Sequence, residues 1–379
     1  MSTTRLVVDR SSHRVAPLEL FFDLVFVYGI SQVTAYLAYD HSAVGFLRGL
    51  LLAGLLWWAW VAYSWLGTSV RVGNGWVQTS LFVAMAALMV LAVLMPAFFD
   101  EQRGASLAMV AAAAYVVVRL MHIIVFAIAG RDDPGIRQAV ARLAWTVVLA
   151  AILLIVGAYL GGAWQMGMVC VALGIDLVGP FLGGGRGWQL ALGHFSERHS
   201  LIVIIALGES IVAIGLGAAD VPAGPALLVM VGLGVAVACA LWVSYFDGSA
   251  EAVEHAIDAR TGLDQVTTAR DVYSYLHFLL VSGLILIALA MKSGLKGTHD
   301  GLSAPLAGYA SVALGAGLFL FLGGLGLIRR RAGTATNFPE MLVAVIALAL
   351  IPLGPVIPAI MSVAVACGVA IGWRTVRRA

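Results

Sequence analysis

The chain reads as a succession of apolar runs, most of them about 20 residues long, separated by short polar breaks. Runs of that length suit helices crossing the hydrocarbon core at a rise of about 1.5 Å per residue. They fall at 19–39, 46–66, 77–99, 105–129, 142–160, 163–182, 200–218, 226–247, 272–291 and 304–328. The last stretch, 338–373, is too long for one crossing, and Pro352, Pro355 and Pro358 cluster at its centre. Proline removes a helical hydrogen bond and breaks or kinks the helix. The pattern therefore predicts two short helices there, at about 339–354 and 356–373. The expected fold is all-α, a polytopic transmembrane helix bundle of about twelve spans. The longest break, 248–271, is acidic and carries Val253 and Ile257 at helical spacing, which predicts a short surface helix.

Composition narrows the class. The chain is 61% hydrophobic and only 11% charged, with a mean hydropathy of +0.99. A soluble domain carries about 25% charged residues, so a soluble fold of this size is excluded, as are disordered and collagen-like chains. The lipid bilayer is the expected partner. A net charge of +2 gives no global basic field for nucleic acid. Residues 1–17 are polar, and the first apolar run carries Glu19 and Asp23, unlike the core of a cleavable signal.

Charge also sets the expected orientation. Under twelve spans, 17 of the 22 basic residues fall on one side, in the terminal segments and alternate loops. These include Arg5, Arg10, Arg14, Arg71, Arg186, the Arg329–Arg331 run and the tail with Arg374, Arg377 and Arg378. The opposite side holds Arg48, Arg103, Lys292 and Lys296. The positive-inside rule then predicts both termini in the cytoplasm. The expected organisation is one integral membrane domain over 1–379, with a cytoplasmic segment at 1–17, the bundle at 18–373 and a basic cytoplasmic tail at 374–379. Twelve spans also raise a 6+6 arrangement, as in repeat-built transporters, supported only by "FVYGIS" in span 1 against "IALGES" in span 7. Cys170, Cys239 and Cys367 sit in apolar runs without metal spacing and read as small core residues.

An ionisable group in hydrocarbon costs about 2.5–3.5 kcal/mol, so those that persist need partners or a task. Counted from the cytoplasmic end of each span, Asp23 lies about 7 Å deep, and His122, Asp176 and His277 about 10 Å. Arg119 and Glu209 share a depth of about 14–15 Å, which makes them the expected ion pair. Glu19 and Asp23 are one turn apart on span 1, and Tyr115, Arg119 and His122 share a face of span 4. The candidates for proton handling are Glu19, Asp23, His122, Asp176, Glu209 and His277. The bland alternative is that these groups glue helices together.

At the start of span 7 stands His194-Phe-Ser-Glu197-Arg198-His199. Two histidines and a carboxylate could ligate a metal, but no established spacing is met and the histidines, five apart, do not share a helix face. The segment reads as interfacial, with Arg198 and His199 at the lipid headgroups; no metal and no cofactor are expected. Gly183–Gly187 reads as a flexible linker, since no Gly-Lys-Ser/Thr follows to make a phosphate loop. Trp57, Trp58, Trp60, Tyr63 and Trp65 of span 2 suit either a pocket for an apolar or cationic ligand or, the favoured reading, lipid-facing or interfacial anchors. Gly315, Gly317, Gly323 and Gly324 suit close helix packing.

Four motifs together resemble the bacterial low temperature requirement protein A family. They are "ELFFDLVFVYGISQV" (19–33), "VRLMH" (118–122), "HFSERHSLIVIIALGESIVAIG" (194–215) and "YSYLHFLLVSG" (273–283). The resemblance implies a polytopic protein of the bacterial inner membrane, linked by the family name to growth in the cold, with no assigned activity. Its motif positions here are Glu19, Asp23, Arg119, His122, His194, Glu197, Arg198, Glu209 and His277. After about residue 290 no motif matches.

Two functions compete. One is a proton-coupled transporter of a small molecule, because chains of Asp, Glu and His in membranes serve as proton relays. The other is an intramembrane enzyme acting on a lipid or isoprenoid-like substrate, with Asp23 or Glu209 as general acid and Arg119 and His122 stabilising charge. A structural or sensory role without turnover is the third reading. A transporter needs access from both faces, whereas the polar groups gather in the cytoplasmic half.

Overall fold

The structure is a computed structural model that describes residues 15–70, 75–100, 104–182, 190–334 and 338–378. Arg5, Arg10, Arg14, Arg71, Arg103, Arg186 and the glycine run 183–187 lie outside the described residues. Among those described, the chain is helical and holds no strand beyond one isolated bridge. The helices are α1 (Pro17–Tyr39), α2 (Ala43–Ser69), α3 (Trp76–Leu94), α4 (Ala105–Ala129), α5 (Pro134–Leu160), α6 (Gly162–Leu182) and α7 (Leu192–Ala218). There follow α8 (Pro225–Phe246), α9 (Ser249–Asp258), α10 (Gly262–Ala269), α11 (His277–Gly297), α12 (Gly308–Ala332), α13 (Phe338–Ile346), α14 (Leu350–Leu353) and α15 (Ala359–Arg378). Eleven helices are long and apolar enough to cross a membrane, and Phe338–Leu353 is a shorter apolar one. The expected polytopic bundle is what forms.

Local chemistry sets the helix ends. Ser42 caps α2 by accepting from the Gly45 N–H at 2.9 Å. Asp133 caps α5, accepting from Gly135 and Ile136 at 2.7 and 3.1 Å, with Pro134 at the first helical position. Gly161 and Gly162, at φ of 69° and 54°, turn the chain between α5 and α6 in a region that L side chains rarely enter.

Two compact units result. The first comprises Met1–Tyr36, Ser42–Arg198 and Thr261–Thr267; the second comprises Leu37–His41, His199–Arg260 and Thr268–Ala379. The first thus holds most of α1, all of α2–α6 and the first turns of α7, which runs on unbroken into the second.

In the first unit α3, α4, α5 and α6 pack in sequence, and α2 lies against α4 and α6. Trp57, Trp58, Trp60 and Tyr63 of α2 are all buried, so the anchor reading of span 2 is corrected. Aromatics that stand exposed in this unit include Trp145, Tyr159 and Trp164 of α5 and α6. The cysteines are corrected as well: Cys170 and Cys239 are exposed and Cys367 partly so, rather than core residues. One cause explains both. With lipid as solvent, an apolar residue is equally at home inside or outside, and the outward faces here carry Phe82, Ile152 and Leu216.

In the second unit α11 packs on α12, and α15 on α8. A Cβ on Gly283 would lie 2.6 Å from the Gly317 carbonyl oxygen, and one on Gly317 would lie 2.8 Å from that of Gly283. Only glycines allow backbones so close. Gly315 and Gly324 are similarly tight, while Gly323 has ordinary contacts. The predicted break in 338–373 is present, between Leu353 and Ala359. Backbone groups at the break are paired: Leu306 donates to the Gly354 carbonyl at 3.1 Å, and Ala359 to that of Ala304 at 2.8 Å. The expected surface helix is α9, with Val253 and Ile257 buried beneath it.

Candidate functional site

The first turns of α1 and α7 and the last three turns of α2 form one polar cluster in the first unit. Glu19 and Asp23, one turn apart on α1, face Arg198 of α7. Its Nη1 donates to Glu19 Oε1 at 3.0 Å and its Nη2 to Asp23 Oδ1 at 2.5 Å. His194, one turn before Arg198, lies with Nε2 2.8 Å from Glu19 Oε2. That oxygen also accepts from the Ala16 N–H at 3.0 Å. Trp60 of α2 donates its indole N–H to Asp23 Oδ1 at 2.9 Å, and its ring lies 5.5 Å from the Arg198 guanidinium. Glu197 is exposed and accepts from the Val15 N–H at 3.1 Å.

Glu19, Asp23, His194 and Arg198 are all buried, Asp23 completely at 0% exposure. The headgroup reading of Arg198 and His199 is therefore corrected, since both are buried within the protein. A guanidinium that finds two carboxylates one turn apart gains charge-assisted hydrogen bonds there that the interface would not supply. Sequence reasoning kept Glu19 and Asp23 on one stripe but did not join that stripe to Arg198, because nothing in either segment specifies which helices touch.

Gly67 closes the cluster. A Cβ there would stand 2.4 Å from Glu19 Oε1 and 2.8 Å from His194 Cε1, so the α2 backbone is itself the wall of the site. Neither Trp60 nor Gly67 was singled out for this role from sequence. The signal available was their spacing of seven on a helix, which puts them on one face.

Charge counting defines the cluster chemically. Two carboxylates face one permanent cation, and His194 is the only other titratable member. Electroneutrality in an apolar interior, where an unpaired charge is costly, calls for one exchangeable proton. Asp23 Oδ1 takes two donors, whereas Asp23 Oδ2, equally buried, has no partner among the described residues.

A second buried pair lies in the same unit. Arg119 Nη2 is 3.2 Å from Asp176 Oδ1, and the Tyr115 hydroxyl reaches Asp176 Oδ2 at 3.5 Å. Asp176 of α6 is thus a carboxylate partner of Arg119, where depth along the span had pointed to Glu209. Depth along a helix fixes the level of a residue and not its azimuth, and Asp176 was within reach of the same level. His122, at the other end of that α4 face, sits between the Tyr63 and Phe126 rings at 5.7 and 5.1 Å. It faces the Ala62 carbonyl, yet neither ring nitrogen reaches hydrogen-bond geometry.

In the second unit Glu209 is buried on α7, and His277 opens α11 after a π-helical turn, Arg270–Leu276. His277 Nδ1 is 2.9 Å from the Val272 carbonyl, and Nε2 is 2.9 Å from the Tyr245 hydroxyl. A carbonyl only accepts, so Nδ1 carries the proton and Nε2 can accept from Tyr245, the pattern of a neutral imidazole. His199 and Tyr273 complete an aromatic group around it, with rings 5.4 and 5.1 Å away.

Among the described residues no three His, Cys, Asp or Glu side chains are arranged to hold a metal ion. An uncharacterized protein of Rhizobium meliloti (strain 1021) is 28% identical over 332 residues, covering 82% of this chain and 76% of its own. No solved structure matches. A family model described as bacterial low temperature requirement A protein matches residues 14–374 and so takes in Glu19, Asp23, His194 and Arg198 together, and the chain belongs to that family.

Proposed function

We propose that this membrane protein is a proton-coupled transporter of a small molecule in the bacterial inner membrane, with Asp23 as the group that takes up and releases the proton. One observation carries the reading: a fully buried carboxyl with both its donors on Oδ1 and none on Oδ2. Protonation at Oδ2 neutralises Asp23 without dismantling its bonds to Trp60 and Arg198. The cluster then holds two carboxyls, one charged, around one guanidinium. Loss of the proton leaves an excess negative charge, which a change of exposure or a bound solute must compensate. Coupling has its physical basis there.

The alternative is the enzyme, with Asp23 as general acid toward a lipid-like substrate. It is favoured by the placement of the cluster at the first turns of α1 and α7, one end of those helices only. The two readings part in whole cells. Metabolites and lipids are compared between cells with the wild-type chain, cells with Asp23→Asn and cells without the protein, each with and without a protonophore. The expected result is a solute redistributed between cells and medium by the wild-type chain alone, with the effect abolished by protonophore. Asp23→Asn, a near isostere of the protonated form, is expected to fold and not to redistribute it. A new or missing lipid without solute redistribution would instead establish the enzyme.

A further inference from the structure

Glu19 accepts three hydrogen bonds, from Arg198 Nη1 on Oε1 and from the Ala16 N–H and His194 on Oε2. Three donors around one carboxyl match a carboxylate, which can only accept. The proton of the 2.8 Å contact therefore lies on His194 Nε2. The other ring nitrogen, Nδ1, is buried and has no hydrogen-bond partner among the described residues. Asp23 shows the same division, with two donors on Oδ1 and none on Oδ2. The cluster thus has two buried atoms, one on each residue, that can take a proton without giving up a bond already made. Arg198 Nε is unpartnered too, but it is a donor and takes none. The charges around these two atoms are those of the cluster itself. Glu19 and Asp23 come from α1 and Arg198 from α7, while α2 presents Trp60 and Gly67, neither of them charged. Glu197 is exposed and holds the Val15 N–H.

We infer that His194 is a second proton seat of the cluster, and that one proton is held in alternation by His194 Nδ1 and Asp23 Oδ2. Both placements are electroneutral. With the proton on Asp23, Glu19 balances Arg198 and the imidazole is neutral. With it on His194, two carboxylates balance an imidazolium and a guanidinium. Passing from His194 to Asp23 breaks an N–H bond and forms an O–H bond, and nothing is oxidised or reduced. A second proton would leave a positive charge unbalanced in an apolar interior, where that is costly, so filling one seat empties the other. The seats differ in depth. His194 stands one turn before Arg198 on α7 and meets Glu19 in the first turn of α1, whereas Asp23 is one turn further along α1. His194 is therefore the outer seat and Asp23 the inner one, and exchange carries a proton inward by about one helical turn at constant net charge. The inference rests on Asp23 being the proton carrier of the proposed transporter, and its test does not depend on transport.

The test pairs nitrogen-15 magnetic resonance of the purified full-length protein, labelled at its histidines, with infrared difference spectroscopy of its carboxyls over the same pH series. Protons themselves are the probe. The His194 signal is the one that His194→Gln removes. Where the cluster holds one proton, His194 should be imidazolium in part and otherwise the Nε2-protonated tautomer. A protonated-carboxyl band that Asp23→Asn removes should account for the remainder. Asp23→Asn takes a negative neighbour away, so the imidazolium share at a given pH should fall by about tenfold or more. His194→Gln leaves one seat, so the Asp23 band at the same pH should grow. Either reciprocal effect decides the matter alone, with His194→Asn in place of His194→Gln should that variant be recovered poorly. A His194 that stays neutral while Asp23 titrates overturns the second seat and leaves Asp23 as the carrier. So does an imidazolium share indifferent to Asp23→Asn, or an Asp23 band indifferent to His194→Gln. Absence of the Asp23 band from wild type and His194→Gln alike overturns the inference and the carrier together. Two seats that exchange while no solute is redistributed in cells sink the transporter and leave His194 in place.

Discussion

At the scale of single residues, what decides behaviour is whether each buried charge keeps its partner. Arg119 and Asp176 are both almost wholly buried and pair at 3.2 Å. Removing one leaves the other unpaired in low dielectric, a cost of about 3–5 kcal/mol in buried pairs. Arg119→Met and Asp176→Leu should each lower the thermal stability of the detergent-solubilised protein by that order. The double variant, with no charge left behind, should regain most of the loss. Simple addition of the two losses would show that the pair is not an energetic unit. Which residues would be buried and polar was legible from sequence, because a charge within an apolar run stands out against its surroundings. Their pairing was not. The depth count matched Arg119 to Glu209, and it is the packing of α4 and α6 on α2 that brings Asp176 to it. Arg198 lay at a span end, where an arginine ordinarily meets headgroups, and its burial depends on two carboxylates from a helix 175 or more residues away.

At the scale of elements, the period and length of the apolar runs were enough to place each long helix, and the proline cluster was enough to split the last stretch. Those signals are local, one helix at a time. Which face of a helix looks inward was far less legible, for a reason peculiar to lipid. In water a buried stripe announces itself by contrast with a polar face. Here α2 is apolar on every side and central, while α5 and α6 are equally apolar and present Trp145, Ile152 and Val171 outward. Glycine was the better guide to packing, since Gly283 and Gly317 mark the place where α11 and α12 meet backbone to backbone.

For the whole molecule the question is sidedness, and in the second unit arginines from several helix ends meet in one group, apart from Lys292 and Lys296 near the end of α11. Arg331 pairs with Asp271 at 2.8 Å, Arg329 with Glu340 at 2.7 Å and Arg374 with Asp247 at 2.5 Å. Arg260 donates to the Ala332 carbonyl at 3.0 Å, and Arg377 bonds Ser249 and the Asp247 carbonyl. These contacts join the ends of α8, α12 and α15 and the starts of α9 and α13 into one charged layer. The positive-inside rule predicts that layer on the cytoplasmic face. Reporter fusions after residue 378 and ahead of α1 should both report cytoplasm. A periplasmic signal from the C-terminal fusion would refute twelve crossings.

The bare backbone at Gly67 has a kinetic meaning. A site walled by a side chain can open by a rotamer flip, on the picosecond-to-nanosecond scale. At Gly67 there is no side chain to flip, and Glu19 and His194 are held to one another and to Arg198, so opening that wall with the cluster intact calls for a shift of α2. Collective helix motions run on microseconds to milliseconds. Relaxation-dispersion measurements on isotopically labelled protein should find exchange in that window at the amides around Gly67, and motion confined to nanoseconds would contradict it. The absence of one methyl group sets the clock of the site.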